Sequence, residues 1–480
     1  MRNKCKQMSL SDIYQDVEKH LETDKPKLFK LLDEHLDWDE IIPHTFYHVF
    51  HQRYGRKRRY ELESFMRALF LQSIFHYVED TQLLNTLQFS QEMRDYCKLD
   101  KVPDNAKLTR FKQDFCDHIR EVFERLVNIT EPICREMDSA LADMLIFDTT
   151  GIESYVAENN PKFRNKLAAQ SKSIAKIDPT FDASGGANAL FPKVAASNPN
   201  VKLQYINGHF CYAQKAGIIT NGLGIVRHLE LFDEDFKQRH PEMQIEKQTN
   251  NPELDKEIGD STSLKPILLD FRTKHPNFTY STFSADSAFD SYDNFKFLLK
   301  DFGFSKAVIP INPRNSVTTA DVNFNENGTP LCPKDGTPLK PKGSSSESCR
   351  STRLKFLCPK SKLTKMSNGR YTYRCFCKNP CTTSSYGRTV YVSPDGNLRL
   401  YPGISRDDEK FAKIYKQRTA AERSINTLKD TLGVSNRKTS NVLTTKADLF
   451  IAGIVQLLCV VLACKLHDVK LARRPRRLIA

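Results

Sequence analysis

The sequence lacks an apolar N-terminal segment, since MRNKCKQMSL has no hydrophobic core, and it lacks a second long apolar run beyond Leu449–Leu466. The first absence excludes a secretory signal, so we expect the thirteen cysteines to lie in the reducing cytoplasm. Gln456 interrupts the single apolar run, which favours a helix buried behind a sheet over a membrane span. We therefore expect a soluble protein with no membrane partner.

Acidic residues are in deficit: 58 Asp and Glu stand against 72 Lys and Arg, which gives a formal net charge of +14. A protein this basic usually meets a polyanion, most often a nucleic acid, although a merely soluble basic enzyme is the alternative. The length of 480 residues is enough for two or three domains with a sizeable core.

The segment 411–430, FAKIYKQRTAAERSINTLKD, contains neither glycine nor proline and has apolar residues at helical spacing. Tyr415, Arg418, Glu422 and Lys429 follow one another at steps of three, four and seven, which places all four on one stripe of a continuous helix. A carboxylate between two cations and beside an aromatic ring suits a site that holds a metal ion and phosphates. A solvated face with an ordinary Arg418–Glu422 ion pair is the alternative.

Two aspartates follow short apolar runs. Met144–Phe147 has the composition of a buried strand and ends at Asp148, and Tyr280–Phe283 is a strand-like run shortly before Asp286. The position of Asp148 is typical of an acidic residue presented where a strand emerges, although a turn-forming aspartate gives the same pattern.

The spacing Tyr415-x2-Arg418-x3-Glu422-x6-Lys429 resembles the Y-R-E-K signature of DDE transposases of bacterial insertion sequences. The context of Asp148 resembles that of the first catalytic aspartate of the same family, and Ala285–Asp290 resembles the surroundings of the second. The resemblance implies that Asp148, Asp286 and Glu422 are the catalytic carboxylates and that Tyr415, Arg418 and Lys429 belong to the DNA-contacting signature. It also implies a ribonuclease-H-like α/β catalytic domain, in which the first and fourth strands lie side by side.

The resemblance further implies an activity. Two Mg²⁺ ions held by the three carboxylates would support cleavage and strand transfer at the terminal inverted repeats of an insertion sequence. The expected partners are double-stranded DNA, both transposon ends and target, and a second copy of the chain in a synaptic homodimer. A bacterial, nucleoid-associated location follows. The alternatives are a ribonuclease-H-like DNA endonuclease without strand transfer and a non-catalytic DNA-binding protein derived from a transposase.

We expect an all-helical N-terminal DNA-binding domain at 1–140. A basic run inside it precedes a helix at Tyr60–Val78, and it predicts either a phosphate-contacting patch or a solvated turn. The basic residues are Arg53, Arg56, Lys57, Arg58 and Arg59. The stretch from Pro103 to Phe111 is similar to a recurring segment of the helical N-terminal domains of these transposases, which implies binding to the terminal repeats.

The catalytic core is expected in two parts, at 141–312 and 406–468, separated by a β-rich insertion at 313–405 and followed by a mobile basic tail at 469–480. Positions 152–205 are expected to be irregular, either as a lysine-rich DNA-contacting loop or as a disordered one. The insertion holds a group of cysteines that predicts either a zinc-ribbon-like site or free thiols, because clean C-x2-C pairs are missing. The candidate ligands are Cys332, Cys358, Cys375, Cys377 and Cys381.

Overall fold

The computed structural model describes residues 9, 11, 27–51, 57–178, 180–181, 190–206, 209–243, 258–312, 324–347, 350–367 and 369–479. Apolar residues at helical spacing predict a helix at Ser11–Leu21, of which only residue 11 is described. The basic residues Arg53 and Arg56 lie outside the described ranges. Between 27 and 142 every described element is helical. The α-helices are α1 Lys27–His35, α2 Trp38–Ile41, α3 His44–Phe50, α4 Leu62–Ile74, α5 Asp80–Phe89, α6 Gln91–Tyr96, α7 Asn105–Asp114, α8 Cys116–Met137 and α9 Ser139–Ala142.

A mixed sheet follows the helices, so the chain has a mixed α/β fold. Its strands are β1 Met144–Glu153, β2 Val194–Ala195, β3 Asn198–Ile206, β4 His209–Asn221, β5 Val226–Leu231, β6 Thr282–Ser284 and β7 Lys306–Val308. The order is β2-β3-β4-β1-β6-β7, and β5 pairs with β4. The turn dipeptide Asn221-Gly222 lies between two strand-like runs and predicts a hairpin, which is confirmed as the antiparallel pair β4 and β5. β6 runs parallel to both β1 and β7.

The expectation that 152–205 is irregular is wrong for most of the described positions. Helix α10 spans Pro161–Ile177, and β2 and β3 extend the sheet beyond β4. Asn160 caps the helix by accepting from the backbone N–H of Lys162 at 2.9 Å, and Pro161 occupies the first turn, where its missing N–H costs nothing. Few apolar residues of α10 are buried, so the helix gives little hydrophobic periodicity.

Further helices connect the later strands: α11 Glu234–Arg239, α12 Asp260–Lys274, α13 Tyr292–Lys296, α14 Glu409–Lys416, α15 Thr419–Asn426, α16 Val442–Lys465 and α17 Val469–Arg473. Helix α16 is long and apolar enough to cross a membrane, but 89% of its most apolar window is buried inside the protein. It packs against α8 and β5 within one large core that also includes α4. The helix predicted behind the sheet is confirmed.

The basic tail is not a free arm over the described residues up to 479. It forms α17 and a 3-10 turn at Pro475–Leu478, and Leu471, Ala472 and Pro475 are buried. Arg476 donates to the backbone carbonyl of Thr431 at 3.1 Å. The sequence predicted mobility because four arginines dominate this segment, whereas the buried apolar pair directly before them and Pro475 between them attach it to the protein.

Five strands lie within the segment 313–405, which the sequence predicts to be a β-rich insertion. Its strands are β8 Lys340–Glu347, β9 Arg350–Leu357, β10 Ser361–Lys365, β11 Tyr371–Cys375 and β12 Thr389–Val392. A three-stranded sheet has the order β12-β9-β8, and β10 pairs only with β11. Arg399, which follows β12, forms a bidentate ion pair with the buried carboxylate of Asp290 at 2.6 and 2.8 Å. The sequence predicts that Asp290 is a helix N-cap or a local hydrogen-bonding residue, whereas in the structure it joins Arg399 to the segment that follows β6.

A buried ionic network joins the N-terminal helices to the sheet. Arg120 on α8 lies 2.8 Å from Glu230 on β5 and 2.6 Å from Asp270 on α12, and His228 lies 3.3 Å from Asp270. Burial alone would raise the pKa of Asp270, but its hydrogen bond to His228 and the nearby charges of His228 and Arg120 outweigh that effect and hold the pKa well below its ordinary value. The network therefore stabilises the fold only while Asp270 is ionised.

Replacing Asp270 with Asn should lower the free energy of unfolding at pH 7 by about 3 kcal/mol, because the buried guanidinium of Arg120 would lose one of its carboxylate partners and His228 would lose its carboxylate partner. The folded-state pKa of Asp270 is depressed, so its contribution is complete above the unfolded-state pKa of about 3.9, decreases as the pH falls below that value, and is lost as the pH falls through the folded-state pKa. Urea denaturation of both proteins from pH 7 to pH 3 measures the difference.

The exposed Asp301→Asn exchange is the control for this pair, and it should change stability by less than about 0.5 kcal/mol. A loss in Asp270→Asn that stays constant down to pH 3 would contradict the assigned ionisation.

Candidate active site

The two candidate aspartates lie beside each other because β1 and β6 are parallel neighbours. Met144 pairs with Thr282 and Ile146 with Ser284, so Asp148 and Asp286 each stand two residues beyond the last registered pair. β6 ends at Ser284, while β1 continues to Glu153 along β4. Both carboxylates therefore lie where the short strand stops, at the carboxyl end of the parallel pair.

Backbone N–H groups fix one oxygen of each carboxylate. Thr149 donates to Asp148 Oδ1 at 2.8 Å, and Ser287 donates to Asp286 Oδ1 at 2.6 Å. Asp286 also caps the 3-10 turn Ser287–Phe289. Each carboxylate keeps its second oxygen for another partner.

The single helix predicted over Phe411–Asp430 is broken into α14, α15 and a π-helical turn at Thr427–Thr431. Between the α-helices the chain tightens: Arg418 N–H bonds to Tyr415 O, and Ala421 N–H bonds to Arg418 O, both over three residues. A change from four-residue to three-residue bonding rotates the following turn. The four signature side chains therefore do not form one straight stripe.

Helix α15 is pressed onto β1 by small side chains. Ala420 and Ala421 are fully buried against Met144 and Ile146, which point to the opposite face of β1 from Leu145 and Phe147. This contact brings Arg418 and Glu422 to the edge at which Asp148 emerges.

Arg418 lies between the acids. Its Nη2 donates to Glu422 Oε1 at 2.7 Å, its Nη1 lies 3.8 Å from Asp148 Oδ2, and its guanidinium lies 5.7 Å from the centre of the Tyr415 ring. The structure thus brings Tyr415, Arg418, Glu422 and Asp148 together. Glu422 is half-exposed and held by Arg418, and the three carboxylates do not form a group whose oxygens all lie within 4.8 Å.

The environment of Asp148 opposes its charge. The pKa of Asp148 is raised to about 6, mainly because the carboxyl group is buried, with a further contribution from the carboxylates of Asp286 and Glu422, while the N–H of Thr149 and the charge of Arg418 act in the opposite direction. A carboxyl group in this position gains from a cation placed next to it.

Lys429 occupies a different place from the other signature residues. Its ammonium group donates to Gly151 O at 2.7 Å and to Thr150 Oγ at 3.3 Å, both on β1 beyond Asp148. Burial lowers the pKa of Lys429. In this arrangement Lys429 stabilises the strand that carries Asp148 through hydrogen bonds.

The turn between β4 and β5 packs against α15. Gly224 has a φ of +79°, and a Cβ atom there would lie 3.0 Å from Ala420 O, so glycine is required by conformation and by space. Gln456 of α16 accepts from Val226 N–H at 3.1 Å and donates to Gly224 O at 3.2 Å and Ser424 Oγ at 3.4 Å. The polar residue that interrupts the apolar run therefore joins α16, the turn and α15.

A cavity of about 320 Å³ opens beside Asp148 and Asp286 and extends towards β3. Three polar residues on its wall bond to each other: Lys215 lies 2.6 Å from Asp260 Oδ1, and Thr149 Oγ donates to the same oxygen at 2.6 Å. The sequence did not single these residues out, because they lie on three separate elements. The one available sequence signal was that Thr149 directly follows Asp148, which places it next to the candidate site.

The expected phosphate-contacting patch is described from Lys57 onwards, and Arg56 lies outside the described residues. Lys57, Arg58 and Arg59 are exposed. Arg58 donates to Phe50 O at 2.8 Å, and its guanidinium lies over the rings of Phe50 and Phe115. Together with Tyr60, Lys107 and Arg110, these arginines line a cavity of about 250 Å³, far along the chain from the acids.

Two other groups of three metal-binding side chains occur among the described residues: Glu153, His209 and Cys211, and His228, Glu230 and Asp270. In the second group Arg120 already lies between the two carboxylates. His209 and Glu153 of the first group are exposed, and their strands run away from Asp148.

Residues 15–114 match the family model described as Transposase domain (DUF772). The matched segment contains the described helices α1 to α7 and ends ahead of the strand that carries Asp148. The N-terminal helices are thus similar to those of a transposase, and this match supports a protein of the transposase class. No curated protein matches the chain.

Replacing Gln456 with Leu should lower the free energy of unfolding by about 1–3 kcal/mol, because Val226 N–H and Gly224 O would be buried without partners. The exchange of the exposed Gln170 of α10 for Leu should change it by less than about 0.5 kcal/mol. Urea denaturation of the three proteins compares the values. Equal stability of Gln456→Leu and the unsubstituted chain would contradict the role assigned to this amide.

Proposed function

We propose that the protein is a DDE transposase of an insertion sequence, which binds terminal inverted repeats and catalyses metal-dependent DNA cleavage and strand transfer. The observation that carries the proposal is the matched position of Asp148 and Asp286 on adjacent parallel strands, with Glu422 delivered to the same edge by α15. A ribonuclease-H-like core is part of the proposal. The expected fold has its first and fourth strands side by side. If β2 and β3 are treated as additions, β6 is the fourth strand along the chain, and its position next to β1 supports the proposal.

Mg²⁺ fits the three carboxylates, which offer the hard oxygen ligands that this ion prefers. Asp148, Asp286 and Glu422 would hold the metal. The family resemblance implies two Mg²⁺ ions at this site. Bound Mg²⁺ would activate the attacking hydroxyl and stabilise the departing 3′-oxygen of an in-line displacement. The raised pKa of Asp148 supports a cation site, because a buried carboxylate among other acids gains most from a neighbouring positive charge.

The chain's own residues prepare the site in two ways. Thr149 and Ser287 orient the two aspartates through their backbone N–H groups. Arg418 holds Glu422 until a competing partner arrives. A DNA phosphate is such a partner, because a guanidinium binds phosphate in a bidentate manner. When Arg418 turns to phosphate, Glu422 is released to approach Asp148.

DNA binding is proposed for the N-terminal helices, where Arg58 and Arg59 lie beside aromatic rings and the exposed Lys57 directly precedes them. The match to a transposase domain falls on these helices. The division into an N-terminal domain, a two-part core and an insertion, the synaptic homodimer and the bacterial cytoplasm as location belong to the same proposal.

Asp148→Asn, Asp286→Asn and Glu422→Gln should each reduce Mg²⁺-dependent cleavage of a duplex carrying the element's own terminal repeats by at least about 10³-fold, since several kcal/mol of transition-state stabilisation would be lost. End binding, followed by gel shift, should stay within about threefold. Mapping the products at nucleotide resolution separates strand transfer from simple hydrolysis.

Asp293→Asn and Glu409→Gln are matched controls, because both side chains are exposed acids near Asp286 and Glu422 in sequence. Both should cleave normally. Full activity in any of the three site variants would refute the assignment, and hydrolysis without joined products would identify an endonuclease without strand transfer.

Lys57→Gln and Arg59→Gln should each weaken end binding. Each should also make the slope of the logarithm of the binding constant against the logarithm of salt concentration less steep, by the amount expected for about one phosphate contact. Arg58 is less suitable for this test, because its packing on Phe50 and Phe115 gives it a structural role. The measurement is the dissociation constant at four salt concentrations. Lys362→Gln in the insertion is the control, and an unchanged slope in both test variants would place the DNA elsewhere.

A further inference from the structure

The insertion contains a hairpin that contributes no side chain to the hydrophobic core of the insertion; the Tyr373 ring of β11 contacts the Tyr386 ring, with centres 5.6 Å apart. β10 and β11 pair only with each other, and their large side chains Leu363 and Tyr371 are 56% and 64% exposed. The core of the insertion consists of Leu339, Leu354, Phe356, Leu400 and Tyr401, none of which belongs to this hairpin. An isolated two-stranded hairpin is only marginally stable in water, so another interaction must hold it.

Two turns of the same sequence, Cys-Pro-Lys, face this hairpin. At the first, Gly336 N–H bonds to Cys332 O and Cys332 N–H to Thr337 O, both at 2.9 Å. At the second, Cys358 directly follows β9, and Ser361 N–H bonds to Cys358 O at 3.0 Å. Lys360 of the second turn lies 2.5 Å from Asp335 of the first. Two tight turns that each present a cysteine are typical of zinc ribbons.

The remaining cysteines come from the end of the hairpin. Cys375 is the last residue of β11, and its sulfur lies 4.0 Å from that of Cys358. The Cys381 thiol lies against that of Cys332 and near Cys358. The cysteines surround a cavity of about 10 Å³, the size of one small ion or water.

We propose that Cys332, Cys358, Cys375 and Cys381 bind one structural zinc ion, which fastens the β10–β11 hairpin to the two Cys-Pro-Lys turns. Four thiolates are the ligand set of a closed structural site. A tetrahedron with zinc–sulfur bonds of about 2.3 Å has sulfurs roughly 3.8 Å apart, close to the separation of Cys358 and Cys375. A disulfide requires about 2.05 Å instead.

The four sulfurs lie as two pairs, since no three of them fall mutually within 4.8 Å. Rotation about a Cα–Cβ bond moves a sulfur by up to about 3 Å, which is enough to draw the second pair inwards. The backbone leaves little other freedom. A Cβ atom at Gly387 would lie 3.2 Å from Cys375 Cβ and 3.3 Å from Cys358 Cβ, so glycine permits the close approach of this segment to the site.

Cys377 also lines the cavity, but its thiol donates to Asn379 O at 3.3 Å. We therefore exclude it from the ligand set. Cys349 lies outside the described residues. The assignment makes Cys377 the matched control, because it is a neighbouring and similarly exposed cysteine of the same segment.

The test is metal analysis of the purified full-length chain. We expect one zinc per chain, retained in Cys377→Ser and in Asp148→Asn, and lost in Cys358→Ser and Cys381→Ser. Replacement of the metal by Co²⁺ should give the sulfur-to-cobalt charge-transfer absorption of a tetrahedral thiolate site. Absence of stoichiometric zinc, or its loss in Cys377→Ser together with its retention in Cys381→Ser, would overturn the proposal.

Alkylation of the unsubstituted protein gives a second readout that does not depend on how a variant folds. Cys332, Cys358, Cys375 and Cys381 should resist maleimide before chelation and react after it, as mapped by mass spectrometry, whereas Cys377 should react in both states. Reaction of all five thiols without chelation, or recovery of a Cys358–Cys375 disulfide, would contradict a bound zinc. Both tests are independent of DNA cleavage, so this proposal and the proposed function can fail separately.

Discussion

Parallel pairing of β1 with β6 is the constraint on which the proposed active site depends. Asp148 and Asp286 are separated by more than a hundred residues, and only the register of these two strands makes them neighbours. The pairing is short, because β6 has three residues, but β6 is flanked by β1 on one side and β7 on the other. A slip of one residue would turn one aspartate to the opposite face of the sheet and separate the carboxylates.

The third acid reaches the same edge through packing rather than pairing. Two alanines of α15 allow the helix to approach β1 closely, and Gln456 holds the turn beneath it. In the state described, Arg418 compensates the charge that accumulates there, and Lys429 braces β1 instead of meeting the acids. Under the proposed function, a metal ion would replace Arg418 beside the carboxylates, and Arg418 would bind a DNA phosphate instead.

Much of this was accessible from the sequence, for identifiable reasons. Met144–Phe147 is a short apolar run ending in an acid, and Asn221-Gly222 marks a hairpin, so local composition was sufficient for both. The interruption at Gln456 also predicted that α16 lies inside the protein.

The break between α14 and α15 was missed, because a local change to three-residue hydrogen bonding leaves no trace in residue type. Helix α10 was missed because its capping signal, Asn160-Pro161, was not accompanied by apolar periodicity. The attachment of Lys429 to β1 depends on tertiary packing and has no sequence signal.

The measurement closest to the central claim is a crystal structure of the protein with Mn²⁺ and a duplex of its terminal repeat, with the metal located by anomalous scattering. The account predicts Mn²⁺ bound between Asp148 and Asp286, with Glu422 turned away from Arg418 towards the metal and Arg418 on a phosphate. Metal found elsewhere, or DNA bound productively while Glu422 stays paired with Arg418, would contradict it.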